Sequence, residues 1–82
     1  LYDDYFVTAP AGARLRITMR SADFDTFLVA AVAGRRMTDD DGAGGTDSRI
    51  ELGVPDGGRV LIRANAMSRG MQGAYTLQVE AL

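Results

Sequence analysis

Eighty-two residues suffice for one small domain, and a chain of that size buries only about 60 to 65% of the surface it exposes unfolded, so its core must be compact. The chain has no cysteine and no histidine, which removes disulfides, thiolate chemistry, Ser-His-Asp nucleophiles, imidazole bases near neutral pH and Cys- or His-ligated metals. Formal net charge is −2, with arginine supplying all nine cations; a phosphate-binding face ordinarily shows as a net basic domain, so no nucleic-acid partner is expected.

No stretch approaches the roughly 20 consecutive apolar residues of a membrane helix, the longest apolar run being residues 27–33, so no membrane partner is expected either. The chain opens on a strand-like segment, without a charged n-region or a small-residue cleavage site. It reads as one domain, residues 1–82, of a longer protein.

In the first element Tyr5, Val7 and Ala9 alternate with Phe6 and Thr8, and a Pro10-Ala11-Gly12 turn follows. In the second, Leu15, Ile17 and Met19 share one face while Arg14, Arg16, Thr18 and Arg20 share the other. That strict period of two belongs to an antiparallel sheet with one packed and one solvated face. The row Arg14, Arg16 and Arg20 is expected to be the solvated face of an edge strand, where charge discourages sheet-to-sheet association.

Ser21-Ala22-Asp23 makes a turn into an apolar run, residues 24–32, which is rich in β-branched and aromatic residues and ends near Gly34. It is expected to be a central strand. Asp25 is its misfit, an acid that is costly to bury without a partner. Residues 36–38 form a brief strand before the most conspicuous stretch, residues 37–50, where Asp39, Asp40, Asp41 and Asp47 crowd among Gly42, Gly44 and Gly45. Beyond it Ile50, Leu52 and Val54 alternate with polar residues up to the turn Pro55-Asp56-Gly57-Gly58. Val60, Ile62, Ala64 and Ala66 make another strand, residues 68–73 a polar loop, and Tyr75, Leu77 and Val79 the last strand. About seven short strands with turn signals between them predict an all-β fold, a small antiparallel β-sandwich or barrel.

With the strands placed, Phe24-Asp25-Thr26-Phe27-Leu28, Asp40-Asp41-Gly42, Thr46-Asp47-Ser48-Arg49-Ile50 and Gly73-Ala74-Tyr75-Thr76-Leu77-Gln78-Val79 form an ordered series. Together they resemble the bacterial pre-peptidase C-terminal domain, which follows the catalytic domains of secreted bacterial peptidases. The opening fits as well, through Asp3, Tyr5, Val7 and Pro10-Ala11-Gly12. The resemblance covers nearly the whole chain, and its specificity lies in the order of the motifs rather than in any one of them. It implies a β-sandwich of jelly-roll type, no catalysis of its own and a parent catalytic domain in the same chain. It also implies a secreted or extracytoplasmic location, in the periplasm or at the cell surface. The implied roles are secretion, keeping the enzyme inactive or stable, and engagement of an extracellular polymer or protein substrate. The chain departs from the pattern at Gly58-Arg59-Val60, where the family usually has an aromatic residue.

The acidic loop admits two readings. Calcium takes six to eight oxygen ligands, and aspartates beside flexible glycines can supply them, although the spacing is not that of an EF-hand. In the resembled family an acid at the place of Asp25 accompanies the Asp-Asp pair, so the candidate metal ligands are Asp25, Asp40 and Asp41. The favoured reading is structural: one or two aspartates cap main-chain N–H groups of the turn, and Arg49 bridges the carboxylates of one polar cluster. Paired carboxylates also serve glycosidases, but without a pocket or a second polar cluster in view the chain is not expected to be an enzyme. The reading reached is a non-catalytic accessory domain of a secreted hydrolase. Its alternative is a calcium-dependent module binding a polysaccharide or fibrous protein. Phe6, Phe27, Val29 and Leu61 fall in outward phases and mark a partner surface unless a second sheet covers them. Tyr5 and Tyr75 fall in the inward phase, with their hydroxyls expected to bond at the sandwich edge.

Overall fold

The computed structural model describes residues 2–40, 42–66 and 73–82. Among them lie seven strands and no helix: β1 (Tyr2–Thr8), β2 (Arg14–Arg20), β3 (Thr26–Val32), β4 (Arg35–Asp39), β5 (Ser48–Gly53), β6 (Arg59–Ala66) and β7 (Thr76–Ala81). They form two antiparallel sheets, a four-stranded one in the order β1-β6-β3-β4 and a three-stranded one in the order β5-β2-β7. The all-β sandwich predicted from the alternation is therefore the fold. Of the polar loop at residues 68–73, all but Gly73 lies outside the described residues.

Alternation decides which side chains fill the space between the sheets. Leu15, Ile17 and Met19 of β2 and Ile50 and Leu52 of β5 meet Leu28, Ala30 and Val32 of β3 and Val60, Ile62 and Ala64 of β6. Phe24 and Val54 close the ends of this core. Every connection but one crosses between the sheets, and the exception is the β3–β4 hairpin. Its two loop residues, Ala33 and Gly34, have φ of 48° and 78°. Positive φ at both central positions is what a type I′ turn requires, because its twist matches that of the flanking strands. Glycine accepts this conformation and alanine is strained in it.

Two expectations are corrected here. The arginine row of β2 is not on an edge strand, since β2 is the centre of the three-stranded sheet. Alternation reports one wet face, and a central strand with one wet face reads the same as an edge strand. Arg16 faces Glu51 of β5 in a 2.9 Å ion pair, Arg20 donates to Gln78 of β7, and Thr18 is buried beneath the row. Tyr5 is also more open than its inward phase suggests, because β1 is an edge strand and most of its side chains are exposed. The hydrogen bond and charge of Arg16 hold the Glu51 carboxyl below its ordinary range, and those of Arg63 do the same for Asp4. Such lowered carboxylates add stability above the usual carboxylate range, and that stability is lost as pH falls through the lowered values.

Leu28→Ala or Ile17→Ala should cost about 2 to 5 kcal/mol in chemical denaturation, a large share of a small domain's stability, while Arg16→Ala should cost a small fraction of that. Reversed effects would mean that the strand phase is wrong by one residue. Ala33→Asn, at an exposed position with φ of 48°, should raise stability by about 0.5 to 1 kcal/mol, since asparagine tolerates this conformation better.

Candidate functional site

The acidic loop and two neighbouring segments gather at one end of the sandwich. Asp39 ends β4, and its Oδ2 accepts the main-chain N–H of Gly42 at 2.8 Å and of Arg49 at 2.7 Å. One carboxylate thereby ties both feet of the loop together. A Cβ added at Gly42 would lie 2.5 Å from that carboxylate oxygen, so the close approach needs glycine. Within the loop, Asp47 donates its N–H to Gly44 O at 3.0 Å across a two-residue turn. Gly45, with φ of 59°, takes the first central position of that turn, where positive φ favours glycine.

The loop is fastened to both sheets. Thr26, at the head of β3, donates from Oγ1 and from its main-chain N to Thr46 O, and its hydroxyl also bonds to that of Ser48 at the start of β5. Both residues are wholly buried, and the pair joins the two sheets. On the other side, Ser21 Oγ accepts the N–H of Asp23 and of Phe24 and donates to Ala74 O at 2.8 Å. Asp47 Oδ1 accepts Ser21 N–H, Thr46 Oγ1 donates to Ser21 O, and Asp23 Oδ2 accepts Ala74 N–H. A solvent-open cleft of about 660 Å³ lies among Arg20, Ser21, Asp23, Thr46, Asp47 and Tyr75. The carboxylates of Asp23 and Asp47 and the hydroxyls of Ser21 and Thr46 are engaged with main-chain groups, so the chemistry this arrangement performs best is to hold three loops in register.

Tyr75 packs edge-on against Phe24 and reaches the opposite sheet, where its hydroxyl donates to Asp3 Oδ2 at 2.7 Å and bonds to the hydroxyl of Tyr5. The tyrosine hydroxyls are thus bonded at the sandwich edge, as their phase predicted. Burial, and then the bonds to Tyr5 and Asp3, push the Tyr75 phenol well above the ordinary tyrosine range.

Of the candidate metal ligands, Asp25 is exposed, Asp40 is half-buried and Asp41 lies outside the described residues. The expectation that Asp25 is a buried carboxylate in need of a partner is corrected: the chain turns so that Thr26, not Asp25, enters the core. Among the described residues no three acidic side chains come together, and Asp39 and Asp47 already accept N–H groups. Arg49 enters the cluster through its main chain, and its guanidinium donates to Gly42 O at 3.3 Å. The capping carboxylates are Asp39 and Asp47, both members of the loop singled out in the sequence. Thr26 and Ser48 were not singled out; their signal was two small hydroxyl residues in phase with the inward apolar residues of their strands.

Asp39→Ala removes an acceptor of two N–H groups and should cost about 1 to 2 kcal/mol in thermal or urea unfolding, whereas Asp25→Ala should stay within about 0.5 kcal/mol. A raised tyrosine pKa contributes stability that is complete below the ordinary value and is lost as pH rises beyond it. Stability should therefore fall above pH ~10, and the fall should be shallower in Tyr75→Phe, as followed by circular dichroism.

No family model, curated protein or solved structure matches the chain significantly.

Proposed function

We propose that the chain is a non-catalytic accessory domain of a secreted bacterial hydrolase, a peptidase by its resemblance, which assists secretion, stability or substrate engagement. One observation carries this reading: the side chains of Ser21, Asp23, Asp39, Thr46 and Asp47 at the loop end are engaged with main-chain groups of the chain itself, whereas Tyr2 and Phe6 on the outer face of the four-stranded sheet stay open to solvent. Groups committed to main-chain bonds are poor general acids, bases or nucleophiles, since each would have to abandon a structural bond to react. The ordered motifs shared with the pre-peptidase C-terminal domain support an extracytoplasmic setting and a catalytic domain in the same chain.

The test has two parts. In the gene product that carries these residues, deletion of residues 1–82 should leave kcat on a small soluble substrate unchanged and lower the secreted yield or the half-life of thermal inactivation. Loss of kcat, or hydrolysis by the isolated chain, would overturn the proposal. In parallel, thermal melting with calcium or with chelator, followed by sedimentation with insoluble collagen, chitin and cellulose, addresses the calcium-dependent module. Calcium-dependent retention on one of these polymers, abolished by Asp25→Ala or Asp40→Ala, would establish that module instead.

A further inference from the structure

The outer face of the four-stranded sheet carries a composition unlike the rest of the surface. The strand register places Phe6 of β1, Leu61 of β6, Ala31 of β3 and Arg36 of β4 in one row across it, and Asp4, Arg63, Val29 and Thr38 in the next. Tyr2, Asn65 and Phe27 make a third row. The second sheet packs on the opposite side of these strands, against Leu28, Ala30, Val60 and Ile62. Phe6 is 61% exposed and Tyr2 55%, while Leu61 and Phe27 are half-exposed between them. Three of the four outward residues singled out in the sequence, Phe6, Phe27 and Leu61, thus reach solvent on the sheet face away from the second sheet, whereas Val29, on the same face, is buried with 6% exposed.

Arginines frame this belt. The Arg59 guanidinium lies 4.2 Å from the centre of the Phe6 ring, and that of Arg63 lies 3.8 Å from the Tyr2 ring while also pairing with Asp4 at 2.8 Å. Within the strands, the face carries Arg36, Arg59 and Arg63 against the single acid Asp4. It is therefore a locally cationic face on a chain of net charge −2. Exposed aromatic rings with arginine are the composition enriched at protein interfaces, and their burial supplies most of the binding energy there. A guanidinium already occupies one face of each exposed ring, which disfavours the flat stacking that a sugar or a base uses. A second copy docked through the same face would bring up another face with the same excess of arginine, and that likeness of charge opposes the pairing.

We infer that the outer face of β1, β6, β3 and β4 is a docking surface for a different protein, whose complementary patch is apolar with carboxylates at its rim. Carboxylates placed there meet Arg36 and Arg59, and the apolar centre covers Phe6, Leu61 and Phe27. The inference stands on the face itself and holds whether or not the partner is a hydrolase.

The experiment is an amide chemical-shift titration of the ¹⁵N-labelled chain with a random copolymer of glutamate and tyrosine, an acidic, aromatic polypeptide probe. Polyglutamate, a lysine–tyrosine copolymer and an oligothymidylate serve as comparisons. The expected result is perturbation confined to β1, β3, β6 and the Arg36 end of β4, stronger for the glutamate–tyrosine copolymer than for any comparison. Binding should weaken about tenfold or more in Phe6→Ser and in an Arg36→Glu, Arg59→Glu double variant. Neither variant touches the core, and unperturbed amides elsewhere in the variant spectra check that each folds. Perturbation only at the cleft around Ser21 and Thr46, equal response to the lysine–tyrosine copolymer, or no response would overturn the inference. Preferential binding of the oligothymidylate would replace it with a nucleic-acid surface. Concentration-dependent self-association through this face would replace it with a second copy.

Discussion

Two sheets without a disulfide between them are held by packing and by whatever polar bonds cross the core, and in this protein the crossing bond is the hydroxyl pair of Thr26 and Ser48. Buried hydroxyls are costly unless satisfied. Thr26 is satisfied by Thr46 O as well as by Ser48, and Ser48 also donates to Thr26 O. The arrangement exists only when β3, β5 and the loop between β4 and β5 sit in one register, so it specifies the relative placement of the sheets where apolar contact alone would tolerate sliding. The loop's other fastenings, the Asp39 carboxylate at its feet and Asp47 on Ser21, build outward from that joint.

The sandwich consequently has two unlike regions. At the loop end, serine, threonine and aspartate side chains take up main-chain groups that strand pairing leaves without partners, and among the described residues no buried side-chain polar atom goes unbonded. The outer face of the four-stranded sheet shows the reverse, with apolar and aromatic side chains half-covered by arginines and open to water. A stable fold does not need that exposure, since β1 is paired through its backbone to β6 and its outward side chains touch none of the core. Exposed aromatic groups in one patch are accounted for better by a partner than by folding.

A small core explains why the loop end is so heavily bonded. A domain of 82 residues has little apolar surface to bury. Its loops must then contribute order through hydrogen bonds, each worth about 0.5 to 1.5 kcal/mol net. The tyrosine clasp of Tyr75 on Asp3 and Tyr5 serves the same purpose where the edge strands of the two sheets open apart.

The strands and their inward faces were legible in the alternation of Leu15, Ile17 and Met19 or of Val60, Ile62 and Ala64, because period two is a local property of a half-buried strand. The same rule placed Phe6, Phe27, Val29 and Leu61 in the outward phase. Which strands are central came from the packing of the sheets, since β2 reads alike at an edge or in the middle. That packing likewise decided that Thr26 turns inward and Asp25 outward, and that the carboxylates closing the loop are those of Asp39 and Asp47. Those outcomes depend on which N–H group, from which distant segment, arrives within hydrogen-bond reach of each side chain. Such an encounter is set by how two sheets pack, and no spacing along the chain encodes it.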